Sequence, residues 1–172
     1  VDSWSNFWVW YLIEEQWLPY IENHQGILAN DYFDVLHLFP HHPAITYRGL
    51  FADTKLQAAA VIYPWQDCLY ISLLLTAPWN KIEKIKGAGS CLLRSLAIES
   101  RNFGTKGVLR LNATPNAVKF YQGLGFAIAE LPIYPEINYP MILTPQAATL
   151  LIAANYVYPL TPSSISSVKV AG

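Results

Sequence analysis

The chain has 172 residues, a formal net charge of -1, and 53% hydrophobic against 13% charged residues. That length suits one domain, and that composition supplies an ample core with little left for disorder outside the ends. A nucleic-acid partner is not expected, because no lysine- or arginine-rich stripe is present to neutralise phosphates. Cys68 and Cys91 are the only cysteines. They are too few for a disulfide framework and lack metal-ligand partners at useful spacing, so a reduced, cytoplasmic setting without a metal is expected.

In chain order, "WSNFWVWYLIEEQWLPYIENH" reads as an aromatic helix within residues 1–28, packed on the domain or on a partner. Glu14 and Glu15 interrupt its apolar run after about eleven residues, short of the roughly 20 needed to span a membrane. It also lacks the basic leader and small-residue cleavage site of a signal peptide. Three of the six tryptophans fall in the first ten residues, which suits an interface and points to a homodimer through an aromatic surface. The chain opens on Val1 rather than Met, which leaves room for residues upstream.

"DYFDVLHLFPHHPAI" is a short helix or irregular piece stopped by Pro40 and Pro43. "AITYRGLFAD", the turn "DTK" and "LQAAAVIYP" form a hairpin, and "CLYISLLLTA" is a strand buried on both faces. Pro78 ends that strand, and "PWNKIEKIK" reads as a loop. After Gly89 a helix is marked by Leu92, Leu93, Leu96 and Ala97 on one stripe, with Ser90, Arg94 and Arg101 elsewhere and Gly104 at its finish. "GVLRLNA" alternates as a strand. Thr114 and Pro115 open a helix, "NAVKFYQGL", closed by Gly125. "FAIAE" and "NYPMILT" are further strands, and residues 161–172 a flexible tail. The order gives an α+β plan with a mixed sheet, in one domain over residues 1–160.

Within "KIKGAGSCLLRSLAIES" the spacing Gly87-x-Gly89 at a helix start suggests either a phosphate cradle or simply a tight turn. It is not a P-loop, since no Lys-Ser/Thr pair follows the second glycine. Nor is it a dinucleotide fingerprint, since Leu92 stands where a third glycine is required. Lys84 and Lys86 put positive charge beside the turn.

"LLLTAP", "KIKGAGSCLL" and "LNATPNAVKFYQGLGF" together resemble the GCN5-related N-acetyltransferase superfamily, over roughly residues 44–143. The family's phosphate motif falls on Lys84, Gly87 and Gly89, its terminal tyrosine on Tyr121, and its Gly-Phe on Gly125 and Phe126. Lys84 replaces the usual Arg or Gln, which keeps charge but loses the planar fork. The "PWNKIEK" link is longer than usual.

The resemblance implies a mixed central sheet with splayed parallel strands, "YISLLLTA" and "VLRLNA", flanked by helices. Acetyl-coenzyme A would be the cosubstrate and a primary amine of a small molecule or peptide the acceptor. Backbone near Leu75 and Thr76 would pair with the pantetheine arm, and the N–H groups of Gly87, Ala88, Gly89 and Ser90 would cradle the diphosphate. An N–H at the end of the first splayed strand would polarise the thioester carbonyl. Tyr121 would protonate the departing thiolate, or else is a core tyrosine on an amphipathic helix. Asn112 and Asn116 would bond the cofactor, or else cap the chain.

No carboxylate stands on the first splayed strand, so the general base is open among Asp67, Glu83, His41 and His42. Acceptor recognition falls to Tyr32, Phe33, Trp79, Tyr134 and Tyr139, or these residues fill core or interface. Two other readings stand beside the enzyme. One is a non-catalytic acyl-coenzyme A sensor or interaction module on the same fold, and the other an α+β domain with no cofactor.

Overall fold

The computed structural model describes residues 3–24, 46–130, 138–156 and 158. The piece read over residues 31–45, with His41 and His42, lies outside them, as do Tyr32, Phe33, Tyr134 and the tail over residues 161–172.

Three strands follow one another by tight turns: β1 (Thr46–Ala52), β2 (Lys55–Trp65) and β3 (Cys68–Thr76). Asp53 and Gln66 take left-handed backbone, with φ of 54° and 50°, to close the two hairpins. Then come β4 (Leu109–Ala113), the two-residue β5 (Ala127–Ile128) and β6 (Tyr139–Leu143). Among the described residues these form a sheet of order β1-β2-β3-β4-β6-β5. Only β3 and β4 pair in parallel; the other neighbours are antiparallel.

The alternation along β2 splits its side chains between two cores. Ala58, Ala60 and Ile62 join a cluster with Leu92, Leu93, Leu96 and Ala97 of the long helix Ala88–Asn102, while Ala59 and Val61 join one with Val9, Ile13, Trp17 and Ile21. That long helix is α4 here. Its apolar stripe is buried as its spacing predicts, but Ser90 is buried too, because the first turn is itself packed into the protein. Arg48 of β1 ties the sheet to α4 through an ion pair with Glu99, 2.6 Å at its closest.

The aromatic N-terminal helix is found, though not as one helix. α1 (Ser3–Leu12) passes into a π-helical turn (Ile13–Trp17) and then α2 (Leu18–Asn23). Its buried residues Val9, Ile13, Trp17 and Ile21 repeat every four. On an α-helix such a stripe drifts by about 40° per repeat. A wider π turn takes up the drift and keeps the stripe on the sheet. Trp17 is fully buried and donates its indole N–H to Leu56 O at 2.9 Å, so this tryptophan belongs to the core.

Two other readings change. The link "PWNKIEK" contains a short helix, α3 (Pro78–Ile82), with Pro78 in its first turn, where a missing N–H costs nothing. The second correction concerns the helix read from Thr114. It opens as a 3-10 turn (Pro115–Ala117), Thr114 makes no side-chain cap, and α5 covers only Val118–Gly123. The same Thr-Pro pair at Thr144 and Pro145 does cap a helix, α6 (Pro145–Ala153), which the sequence reading passed over. Gly104 and Gly125 follow α4 and α5 with φ of 87° and 102°, as expected of glycines that end helices.

Candidate functional site

The parallel pair β3–β4 is in register at three positions: Leu69 with Leu109, Tyr70 with Arg110, and Ile71 with Leu111. Past Ile71 the strands part, although β3 runs on to Thr76 and β4 to Ala113. The cause lies in β3. Its pairing with β2 jumps from Ile62–Ile71 to Val61–Leu73, so Ser72 is an extra residue in the strand. Such a bulge bends and twists the strand that carries it. The far side of each strand stays occupied, by β2 and by β6. From Leu73 to Leu75, β3 therefore turns towards the gap an edge that no strand takes up among the described residues.

The gap is a cleft of about 390 Å³, walled by β3 from Ile71 to Leu75 and by β4 from Leu111 to Ala113. Tyr121 of α5 closes it, and Lys81 of α3 stands at its border. Tyr121 is 9% exposed and packs edge-on against Phe120 and Phe126, with ring centroids 5.1 and 5.5 Å away. Both readings of this residue meet here: its ring belongs to the core and its side chain lines the cleft. Its hydroxyl bonds to no described residue. Burial pushes the phenol up from 10 to about 12, because the phenolate would lose its hydration.

Gly87 takes φ of 110° and caps α4, a backbone position that suits glycine. The first amide of the helix to find a carbonyl is that of Cys91, on Gly87 O at 2.9 Å. The amides of Ala88, Gly89 and Ser90 precede it and bond to no carbonyl among the described residues. They stand where the partial positive charge of a helix gathers. A Cβ on Gly89 would come 3.2 Å from Phe120 Cζ and 3.6 Å from Thr76 Cγ2. The turn thus lies against the end of β3 and against α5. Glycine at 89 lets the helix start pack closely on those two side chains, and the three amides that find no carbonyl among the described residues are the feature that fits a diphosphate.

The structure brings together Leu75, Asn112 and Tyr121 in the cleft, and places Thr76 against Gly89 at the cleft's end. Lys84 and Lys86 are exposed beside the turn, Lys84 with left-handed backbone at φ of 56°. Asn116 is exposed on the 3-10 turn and does not line the cleft. Ser72, Lys81 and Phe120 were not singled out by sequence. A bulge leaves no compositional mark at Ser72, and a glycine's neighbour across the fold, Phe120, has none either.

Among the base candidates, Asp67 sits in the β2–β3 turn, at the opposite end of β3 from the cleft. At roughly 3.3 Å per residue it is about 20 Å from Leu73. Glu83 lines a different hollow, with Gln16, Tyr20 and Trp79. Trp79 is turned away from the cleft, into the N-terminal core. Tyr139 packs against the main core. No carboxylate or histidine among the described residues lines the cleft.

No protein-family model matches the chain, and no curated protein matches it. Solved structures do. Tetrahymena GCN5 aligns over 91% of this chain and 91% of its own, with 10% identity and a TM-score of 0.55. The chain has the fold of the GCN5-related N-acetyltransferases. A Lactobacillus plantarum protein named for N-acetyltransferase activity aligns over 69% of this chain and 82% of its own, at 14% identity and a TM-score of 0.53. The ribosomal-protein-S18-alanine N-acetyltransferase of Escherichia coli is more similar in sequence, at 21%, but covers 59% of this chain and 68% of its own with a TM-score of 0.45. The α+β class and the splayed parallel pair are therefore those of the fold that the motifs resemble.

Proposed function

We propose that the protein is an acetyl-coenzyme A-dependent N-acyltransferase that acts on a primary amine of a small molecule or peptide. The observation that carries this reading is the parting of β3 from β4 after Ile71, with Tyr121 in the gap and the uncapped amides of α4 at its end. Bound there, acetyl-coenzyme A would supply an activated acyl thioester. The amides of Ala88, Gly89 and Ser90 would hold its diphosphate, with Lys84 and Lys86 adding charge. The open edge of β3 from Leu73 to Leu75 would pair with the amide-bearing arm as an added strand does.

Tyr121 keeps its proton at any physiological pH. Full transfer from a phenol raised to about 12 to a thiolate of ordinary pKa near 8.5 runs uphill by roughly 5 kcal/mol. Its role is therefore that of a hydrogen-bond donor to charge growing on sulfur, with transfer completed only when that sulfur is equally desolvated. The two free cysteines, both buried, accord with a reducing, cytoplasmic setting. No helix among the described residues is long and apolar enough to cross a membrane.

The lack of a carboxylate or histidine in the described lining supports a second reading, an acyl-coenzyme A sensor without turnover. Two measurements separate the readings. Coenzyme A at 100 times its dissociation constant should raise stability by about 2.7 kcal/mol, and thiol release from acetyl-coenzyme A should appear with some member of an amine panel. A shift without release supports the sensor. No shift at saturating ligand sinks both.

A further inference from the structure

The geometry points to Tyr158, beyond the end of α6, as a positioning residue for the phosphate turn. This inference rests on the coenzyme A reading above. Tyr158 lies 78 residues from Asn80 and 101 from Gln57, yet its hydroxyl is 2.8 Å from Asn80 Oδ1 and 2.9 Å from Gln57 Oε1. Both partners are buried, at 3% and 7% exposure. Gln57 Oε1 has two further donors, the Trp79 indole N–H at 3.0 Å and Asn80 Nδ2 at 3.3 Å. Asn80 Oδ1 has none among the described residues besides the Tyr158 hydroxyl. A hydroxyl has one proton to give, and it belongs on Asn80.

Asn80 in turn governs the approach to the cradle. Its backbone carbonyl accepts from Ile85 N–H at 2.9 Å, and Ala77 N–H bonds Gln57 O at 2.8 Å. Between Ile82, where α3 ends, and Ala88, where α4 begins, the chain makes two left-handed steps, at Lys84 and Gly87. Two backbone amides of this stretch find a carbonyl among the described residues before α4 takes over: Glu83 N–H on Trp79 O at 2.8 Å, and, nearer the cradle, Ile85 N–H on Asn80 O. The Tyr158 side chain also lies close enough to Glu83, the residue after α3, and to Cys91 of α4 for their charges to bear on its titration. Tyr158 thus braces α3 through Asn80, and α3 fixes the turn that presents Gly87 to Ser90.

The test is Tyr158→Phe, which keeps the ring and removes the hydroxyl. Apparent KM would be measured for acetyl-coenzyme A and for S-acetyl-pantetheine, which lacks the diphosphate, with coenzyme A affinity read by calorimetry. A lost buried hydrogen bond predicts about a five- to tenfold weaker affinity and higher KM for the diphosphate ligand. The KM for S-acetyl-pantetheine and the kcat at saturation should stay as in the parent. Trp79→Phe, which removes another donor from Gln57 Oε1, should act in the same direction and more weakly. Equal affinity of parent and Tyr158→Phe for coenzyme A overturns the inference while leaving the function intact. An equal rise in KM for both thioesters reduces Tyr158 to general stability and overturns it as well. Failure of the parent itself to bind coenzyme A is instead the failure of the function proposed.

Discussion

The two halves of β3 differ in what they do with their edges. From Leu69 to Ile71 the strand is paired on both sides, by β2 and by β4; from Leu73 to Leu75 it keeps β2 and loses β4. Composition does not separate them, since both are leucine- and isoleucine-rich. One added residue, Ser72, does. The closed half anchors the core through Leu69 and Ile71, and the open half lines the cleft. A fold can thus hold an unpaired strand edge in its interior when a bulge creates it and a cleft shields it from edge-to-edge association.

The largest expected effect comes from closing the open half's far end. Gly89→Val would press into Phe120 and Thr76 and displace the start of α4, with a loss of coenzyme A affinity of about 100-fold or more by calorimetry. An unchanged affinity would separate the turn from the cleft and break the comparison. Next is Tyr121→Phe, expected to lower kcat by roughly 10- to 100-fold, the worth of one hydrogen bond to a charged group, while coenzyme A binding stays as it was. Because Tyr121 is raised to about 12, the parent should show no alkaline loss of kcat from this group below about pH 11. A limb between pH 8 and 10 that disappears in Tyr121→Phe would contradict the burial of that hydroxyl.

The same shift bears on stability. The folded protein holds the Tyr121 proton more tightly than the unfolded chain, so this stabilisation is complete below about pH 10 and is lost as pH rises towards 12. Denaturant midpoints taken from pH 9 upward should fall more steeply in the parent than in Tyr121→Phe. A smaller effect is expected at the closed half's support. Arg48→Met breaks the ion pair with Glu99 that joins β1 to α4. For a pair about a quarter exposed this costs about 1 kcal/mol, a drop of a few degrees in Tm, with coenzyme A affinity unaffected. Smallest is the double change Lys84→Ala and Lys86→Ala. Both side chains are exposed, so affinity should weaken only two- to threefold, and less in high salt.

Much of this was legible. The hairpins, the leucine stripe of α4 and the alternation of "VLRLNA" obey local periodicities that a sequence displays directly. The register Lys84, Gly87, Gly89 and Tyr121 carried the fold. Other features were hidden for identifiable reasons. The Thr-Pro pair at Thr144 caps a helix through its hydroxyl and the same pair at Thr114 does not. Ser90 looked like a surface residue on helix periodicity and is buried, because burial in a first turn depends on what lies beyond the helix end. Trp79 was open between an acceptor contact and the core, and a bond to Gln57, 22 residues away, is nothing that a local pattern shows.

By itself the sequence determined the hairpins, the leucine-striped helix, the glycine turn at its start and the family of folds that turn suggests, because each is written in residues a few positions apart. Tertiary structure alone decided where β3 leaves β4, how far burial raises Tyr121, and that Tyr158 meets Asn80. Those outcomes join residues tens of positions apart through strand register, desolvation and a shared buried hydrogen bond, and no local pattern encodes them.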